Sequence, residues 1–392
     1  MTAIHNELLE RVRHSLADEG AEPTPARVAA AVRAEGRLLG HDDVLELVDT
    51  LRRDAFGAGP LDALLREPEV TDIVVNRPDA VYIDRGDGLE RTAVSFSDER
   101  DVRRLAQRLA AAGGRRLDDA SPFVDVRLHD GTRFHAVLSP IAHPGTVLSL
   151  RVPARRAFTL EMLQVCGTLT PVAAGLLRDL VDARLAFLVS GGTGSGKTTL
   201  LATLLSLIGG RERLVLVEDV AELRPEHDHV VGLEARPPNV EGAGTITVRD
   251  LVRQALRMRP DRLVVGEVRG AEVVDLLAAL NTGHEGGCGT LHANSAGDVP
   301  ARLEALGVAA GLGRQAVHSQ LASAVQVVVH VVRPQRGPRF VSEIAILRVR
   351  ADGLVGCQPA VRFHPDGTAA TGPGADRLKH LLRGADEQLS GS

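Results

Sequence analysis

The chain of 392 residues is long enough for two domains of ordinary size, each with a substantial core. Its 46 basic and 51 acidic residues give a net charge of −5, and only 2% of the residues are aromatic. This composition argues against a protein that binds nucleic acid through a basic surface with stacking aromatic side chains. The N-terminal segment MTAIHNELLERVRHSL is too charged for a signal peptide, and no apolar run approaches the roughly 20 residues of a transmembrane helix.

The first part of the chain predicts a short helical lead-in and then a small mixed α/β domain. Residues 1–55 carry apolar side chains at helical spacing, interrupted by the prolines of AEPTPAR. From residue 56 to 153 the pattern predicts a domain of short strands around one helix. Its strands are expected at 72–76, 80–84 and 146–152 and on both sides of the Asp130–Gly131 hairpin signal, and its helix at 97–112.

The second part predicts a larger α/β domain over residues 171–363, after a hinge with a short helix at 154–170. Helices are expected at 171–183, 197–207, 248–258 and 271–281, and strands at 185–189, 213–218, 262–265 and 289–292. Strands that alternate with helices are typical of a doubly wound, mainly parallel sheet, which binds ligands at the carboxyl ends of its strands. Residues 322–332 are apolar enough for a buried strand or helix. Residues 364–392 are expected to form a flexible tail, with one possible helix at 377–382.

The strongest motif is Gly191–Thr198, which reads GGTGSGKT and fits the phosphate-binding pattern G-x-x-x-x-G-K-T. Glycines let successive backbone N–H groups turn toward an anion, and the helix that follows adds partial positive charge. In such loops the lysine reaches the β- and γ-phosphates and the hydroxyl holds Mg²⁺. The motif predicts nucleotide binding by Gly191, Gly192, Thr193, Gly194, Ser195, Gly196, Lys197, Thr198 and Thr199.

Acidic residues follow two of the later strands. Glu218, Asp219 and Glu222 come directly after an apolar run, where a carboxylate can orient water and accept its proton. Glu267 follows the strand at 262–265, the position from which such folds reach Mg²⁺ directly or through water. A solvated strand end is the competing interpretation of both segments.

Histidine and cysteine residues near the fourth strand give a third candidate. His292 ends an apolar stretch after a glycine-rich segment and could donate a hydrogen bond to a γ-phosphate. His284 and Cys288 lie nearby, but no fourth ligand has a zinc-site spacing. With Cys166 and Cys357 far away and no CxxC pair, we expect neither a structural zinc site nor disulfides.

The four segments, in this order, resemble the secretion ATPases of the type II/type IV superfamily, the hexameric traffic ATPases. The matching segments are GGTGSGKTT (Walker A), EDVAEL (the Asp box), LRMRPDRLVVGEVRG (Walker B) and TGHEGGCGTLHANS (the His box). Two further segments, RPPNVEG and PFVDVRLHDGTRFHAVLSP, are similar to the CpaF/TadA group, which powers assembly of tight-adherence (Flp-type) pili. The resemblance covers residues 62–349.

The resemblance implies a RecA-like nucleotide-binding domain that uses ATP and Mg²⁺. Lys197 and Thr198 would hold the phosphates and Mg²⁺, as the loop itself indicates. Glu222 would be the general base, Glu267 would support Mg²⁺ or position water, and His292 would sense the γ-phosphate.

The resemblance also implies that arginines complete the site. Arg127, Arg133 and Arg151 of the N-terminal domain match positions that reach toward the nucleotide when the two domains close. Arg257, in the helix before Walker B, is a further candidate. A guanidinium stabilises phosphate charge without losing its own. A surface or ion-pairing role is the alternative for each.

The function implied is an ATP-driven motor for a tight-adherence pilus. Such motors are homo-oligomeric, commonly hexameric, rings on the cytoplasmic face of the membrane, docked to an integral membrane platform, and no direct nucleic-acid partner is expected. The sequence leaves open a conjugal or type IV secretion ATPase that moves DNA or protein. A RecA-like nucleic-acid ATPase and an inactive nucleotide-binding scaffold are weaker alternatives.

Overall fold

The computed structural model describes residues 57–86, 88–128, 130–153, 158–236, 238, 243–334 and 337–389, together with Ala30 and Val32. The chain divides into two compact units, with the division between residues 155 and 156. The lead-in predicted at 1–55 and the start of the hinge predicted at 154–170 lie outside the described residues, apart from Ala30 and Val32.

The first unit contains an antiparallel sheet of six strands in the order β3-β2-β1-β6-β5-β4. The strands are β1 (Asp72–Arg77), β2 (Ala80–Asp84), β3 (Leu89–Arg91), β4 (Phe123–Arg127), β5 (Arg133–Val137) and β6 (Val147–Arg151). Its helices are α1 (Asp62–Arg66), which follows a 3₁₀ turn at Gly59–Leu61, and α2 (Glu99–Ala112). The short β3 escaped prediction because all three of its residues are exposed and give no apolar alternation.

Helix α2 covers the sheet and closes the core of the first unit. It begins two residues later than predicted, because the side chain of Asp98 accepts a hydrogen bond from the amide of Asp101 and so caps the helix. Val102, Leu105 and Leu109, at helical spacing, are buried in one cluster with residues of the sheet.

The second unit is built on nine strands in the order β15-β14-β13-β12-β7-β11-β10-β8-β9. The strands are β7 (Phe187–Gly191), β8 (Leu214–Glu218), β9 (Val230–Glu234), β10 (Arg262–Val265), β11 (Cys288–His292), β12 (Val327–Val332), β13 (Phe340–Val349), β14 (Val355–Phe363) and β15 (Ala369–Thr371). From β12 to β9 all neighbours are parallel, whereas β12 to β15 form an antiparallel meander. The predicted α/β fold with a mainly parallel sheet is therefore confirmed, with an antiparallel extension that was not predicted.

Helices lie on both faces of this sheet. They are α3 (Leu160–Val165), α4 (Pro171–Asp182), α5 (Lys197–Leu205), α6 (Val248–Ala255), α7 (Glu272–Leu280), α8 (Val299–Ala309), α9 (Arg314–Ala324) and α10 (Ala375–Leu389). Strand β7 shows the two-sided burial: Phe187 and Val189 belong to one hydrophobic cluster and Leu188 to the other. A strand buried on both faces reads as a continuous apolar run, as β7 does. None of the described helices is long and apolar enough to cross a membrane.

The C-terminal segment differs from the flexible tail expected after residue 364. Strand β15 pairs with β14, and α10 follows it. Leu378 of α10 is only 3% exposed and lies in the same cluster as β7, with Leu381 and Leu382 packed against it. The possible helix predicted at 377–382 is present as part of α10, and the sequence did not indicate its full length, because its partner surface exists only after the meander has formed. Strand β9 and helices α8 and α9 were also missed.

Candidate nucleotide site

The candidate site lies at the carboxyl edge of the parallel strands. The phosphate loop follows β7, and His292 ends β11, where it pairs in register with Gly191. Glu267 follows β10 after a single residue, and Glu218 is the last residue of β8. Because β7, β11, β10 and β8 are consecutive neighbours, the sheet brings three of the predicted motifs to the loop.

The phosphate loop has the backbone that its glycines predict. Gly194 and Gly196 adopt φ values of +67° and +97°, which favour glycine. A Cβ atom added at Gly191 would lie 2.3 Å from the carbonyl oxygen of Val331 on β12, so a side chain there is excluded. Helix α5 begins at Lys197, directly after the loop, and its N-terminal amides can face an anion.

The ammonium of Lys197 is held at the centre of the site. Its Nζ donates a hydrogen bond to the carbonyl oxygen of Gly192 at 2.9 Å and lies 3.4 Å from each ring nitrogen of His292. Burial lowers its pKa, and the negative charges of Glu267 and Glu222 oppose that shift. Both carboxylates are therefore close enough to act on the lysine through space.

His292 and Glu267 contact each other, with Nε2 and Oε1 3.3 Å apart. Burial, followed by the charge of Lys197, lowers the pKa of His292 below its ordinary value of 6.5. The imidazole is therefore neutral at neutral pH. Its contact with Glu267 is then one between a neutral ring and a carboxylate.

Glu218 holds the turn that follows β8. Its side-chain oxygen accepts hydrogen bonds from the amides of Glu222 and Leu223, at 3.0 and 2.9 Å. The residue is only 4% exposed, and burial raises the pKa of its carboxyl to about 7. Glu218 thus fixes the turn that carries Glu222. Its position as an acid at the end of a strand did not reveal this role in the sequence. Asp219 instead pairs with Arg269 in the loop after β10.

A buried histidine that the sequence analysis did not identify lies beside the loop. Nδ1 of His330, on β12, is 2.8 Å from the hydroxyl of Ser190, the residue before Gly191. Burial lowers the pKa of His330, so the ring is neutral and its hydrogen bond joins β12 to the start of the phosphate loop. A sequence pattern could not reveal the pair, because its two members are 140 residues apart.

Three of the predicted arginines are neighbours within the first unit. Arg133 of β5 pairs in register with Arg127 of β4 on one side and with Arg151 of β6 on the other. Directly opposed residues share one face of an antiparallel sheet, so the three arginines lie side by side on one face, with Asp72 of β1 opposite Arg151. We call them the arginine row.

The fourth predicted arginine is used differently. Arg257 lies just beyond the end of α6 and donates a hydrogen bond from Nη1 to the carbonyl oxygen of Arg253 at 2.9 Å. This contact satisfies a carbonyl at the C-terminal end of the helix, where cations are favoured. A nucleotide contact by Arg257 stays a prediction.

The donor types at the site suit magnesium. Thr198 supplies a hydroxyl next to Lys197, and Glu267 supplies a carboxylate from the neighbouring loop. Mg²⁺ prefers oxygen ligands and is usually held by one or two protein groups together with water and substrate phosphates. The residues present therefore fit a magnesium–nucleotide complex.

The family model described as type II/IV secretion system protein matches residues 54–365. The chain belongs to this family. The resemblance inferred from the four motifs is thus confirmed at the level of the superfamily, and the tight-adherence subgroup stays a prediction.

Relatives within this family carry names from conjugation. A putative conjugal transfer protein of Mycobacterium tuberculosis is 57% identical over 335 residues, which are 84% of this chain and 94% of that protein. A probable conjugal transfer protein TrbB of Sinorhizobium fredii is 32% identical over 290 residues, 72% of this chain and 85% of that protein. The crystal structure of the pilus retraction motor PilT with bound ADP has a TM-score of 0.52 over 84% of this chain and 87% of that chain. Its sequence is 19% identical, so this likeness concerns the fold.

Proposed function

We propose that this protein binds and hydrolyses ATP and thereby drives transport by a membrane-bound secretion machine. The proposal is carried by one observation, the convergence of Lys197, Glu222, Glu267 and His292 on a phosphate loop at one edge of a parallel sheet. A lysine can bind phosphate, carboxylates can hold Mg²⁺ and activate water, and a neutral imidazole can donate a hydrogen bond to phosphate, so these groups suit phosphoryl transfer to water.

Each group has a distinct task in this proposal. The loop amides and Lys197 bind the phosphates and oppose their charge. Thr198 and Glu267 would hold Mg²⁺, which neutralises charge on the β- and γ-phosphate oxygens when it is bound. Glu222 orients the attacking water and accepts its proton, and His292 donates a hydrogen bond to a γ-phosphate oxygen.

Glu222 is a better candidate for the base than Glu218. The same oxygen of Glu218 accepts two backbone hydrogen bonds, and its side chain is buried, so water has little access to it. Glu222 is partly exposed on the turn that Glu218 fixes. A base must come within hydrogen-bond reach of the water that it activates.

The arginine row supplies a candidate partner for the phosphates from the first unit. Arg127, Arg133 and Arg151 bring three guanidinium groups to one face, and a guanidinium binds phosphate oxygens without losing its charge. A contact of these residues with the nucleotide is implied by the family resemblance and stays a prediction.

Conjugal or type IV transfer is the transport process that we propose. The names of the two relatives support it. Tight-adherence pilus assembly is the second candidate, favoured by RPPNVEG and by Pro122–Pro140. The two differ in what a Lys197→Ala strain loses: conjugal transfer predicts a loss of DNA or effector transfer, and pilus assembly predicts a loss of surface fibres.

A ring of identical subunits at the cytoplasmic face of the membrane, docked to an integral platform, completes the proposal. Such a ring would let each subunit act on the platform in turn. Size measurement with and without a non-hydrolysable ATP analogue tests it: ring formation supports the motor, and a persistent monomer in the presence of the platform would contradict it.

The ATPase proposal is tested by phosphate release with ATP and Mg²⁺. Lys197→Ala should abolish measurable turnover, and Glu222→Gln should lower kcat by about 10² or more while ADP still binds. Glu226→Gln is the matched control, because it removes the same charge from an exposed side chain four residues away. No turnover by the wild-type chain, or an unchanged kcat in Glu222→Gln, would contradict the proposal.

A further inference from the structure

Two arginines from outside every predicted motif lie against the phosphate loop. A Cβ atom added at Gly194 would be 3.2 Å from Nη1 of Arg333, and one added at Gly196 would be 3.6 Å from Cδ of Arg339. Both glycines have positive φ and belong to the turn that would enclose the phosphates. The two side chains therefore lie against the phosphate loop.

The sheet fixes this position. Strand β12 is parallel to β7, and Val331 pairs with Gly191, so β12 leaves the sheet beside the first glycine of the loop. Arg333 follows Val331 by two residues, and Arg339 comes directly before β13. The connection that carries both arginines is thus anchored at each end by the antiparallel pairing of β12 with β13.

The arginines approach from the side of the loop opposite to the hydrolytic groups. Strand β7 has β12 on one side and β11 on the other, followed by β10 and β8. His292, Glu267 and Glu222 all come from the β11 side, which the proposed function assigns to the γ-phosphate and the attacking water. Groups from the β12 side would then face the α- and β-phosphates, which ADP and ATP share.

We infer that Arg333 and Arg339 bind the α- and β-phosphates of the nucleotide and so set the affinity for ADP and ATP alike. The inference rests on the proposed function. A guanidinium forms two parallel charge-assisted hydrogen bonds to phosphate oxygens, and it keeps its charge beside the lysine of the loop. Arg333 is exposed, and Arg339 is half-buried.

The two proposals predict different kinetic effects. Removal of a group that contacts ADP and ATP equally raises Kd for ADP and KM for ATP together and leaves kcat unchanged. Removal of a group on the γ-phosphate side lowers kcat and leaves ADP binding intact. Measurements of Kd for ADP and of kcat therefore separate the arginines of β12–β13 from Glu222.

The experiment compares Arg333→Ala, Arg333→Lys and Arg339→Ala with wild type, by competition against a fluorescent ADP and by steady-state hydrolysis of ATP with Mg²⁺. Arg348→Ala is the control, because Arg348 is an exposed arginine near the far end of β13. Arg333→Ala should raise Kd for ADP and KM for ATP by a common factor of about ten or more, as expected for a charge-assisted hydrogen bond. Arg333→Lys should recover part of the affinity, since lysine keeps the charge without the planar fork.

An ADP affinity of Arg333→Ala and Arg339→Ala within about twofold of wild type and Arg348→Ala would overturn this inference. A fall in kcat with unchanged ADP affinity would overturn it too. If the wild-type chain binds neither ADP nor ATP, the proposed function itself fails. Thermal unfolding without nucleotide identifies a variant that has lost its fold. If one arginine variant is unfolded, the ADP affinity of the variant at the other arginine decides the inference.

Discussion

The buried carboxyl of Glu218 should make the stability of the second unit depend on pH in an unusual direction. Its pKa is raised to about 7 from an ordinary value of 4.5, so the folded chain binds this proton more tightly than the unfolded chain. Between these two values the unfolded state carries fewer protons, and the free energy of unfolding falls as pH rises. Most carboxylates in ion pairs contribute the opposite sign.

Glu218→Gln removes this effect and keeps the contacts. The amide oxygen of glutamine can still accept the hydrogen bonds from the backbone of Glu222 and Leu223, while no charge is buried. The difference between the two pKa values, 7 − 4.5, is about 2.5 units. At about 1.4 kcal/mol per unit, the variant should be more stable than wild type by about 3–4 kcal/mol above pH 8 and equally stable below pH 4.5.

The measurement is urea unfolding of the full chain without nucleotide at a series of pH values, followed through the transition of the second unit. The difference in unfolding free energy between variant and wild type should change by at most about 1.4 kcal/mol per pH unit. Glu226→Gln, at an exposed position, is the control and should show no such trend. A difference that does not vary with pH, or a variant that is less stable at high pH, would refute the reasoning.

Three further predictions concern packing and chemistry. Glu212→Ala should lower the free energy of unfolding in urea by about 3–5 kcal/mol. The reason is that the side chain of Arg262 is 3% exposed and pairs with Glu212 at 2.7 Å. A loss below about 1 kcal/mol would show that the buried guanidinium finds another partner. Gly289→Ala should destabilise by about 1–3 kcal/mol, since its Cβ would lie 2.6 Å from a backbone oxygen of β10. Gly175→Ala, on an open surface of α4, should raise Tm instead, and equal effects of the two glycine variants would be inconsistent with the packing. His292→Ala should lower kcat for ATP hydrolysis by about 10² with ADP affinity unchanged. A parallel loss of ADP affinity would show that His292 contacts a phosphate that ADP also carries, and would contradict its assignment to the γ-phosphate.

The sequence by itself determined the phosphate loop and the acids that follow β8 and β10. These signals are local. The spacing of glycines before Lys197 and the apolar run before Glu267 can be recognised without knowing where the segments lie in the fold. The same holds for four helices and four strands of the second unit, α4 to α7 with β7, β8, β10 and β11, whose predicted bounds differ from the observed ones by up to three residues. The resemblance of the four motifs to the secretion ATPases was also carried by these short segments.

Only the tertiary structure decided which strands are neighbours, and this controls what surrounds the loop. The pairing of β12 with β7 joins residues 140 positions apart, and it alone brings His330, Arg333 and Arg339 to the site. Arg127, Arg133 and Arg151 likewise form a row only because β4, β5 and β6 pair in one register. The sequence indicates a possible helix at 377–382, but the surface that α10 covers exists only once the meander has formed. Contacts between strands distant in sequence leave no local pattern, because side-chain periodicity records which face is buried and not which strand lies beside it.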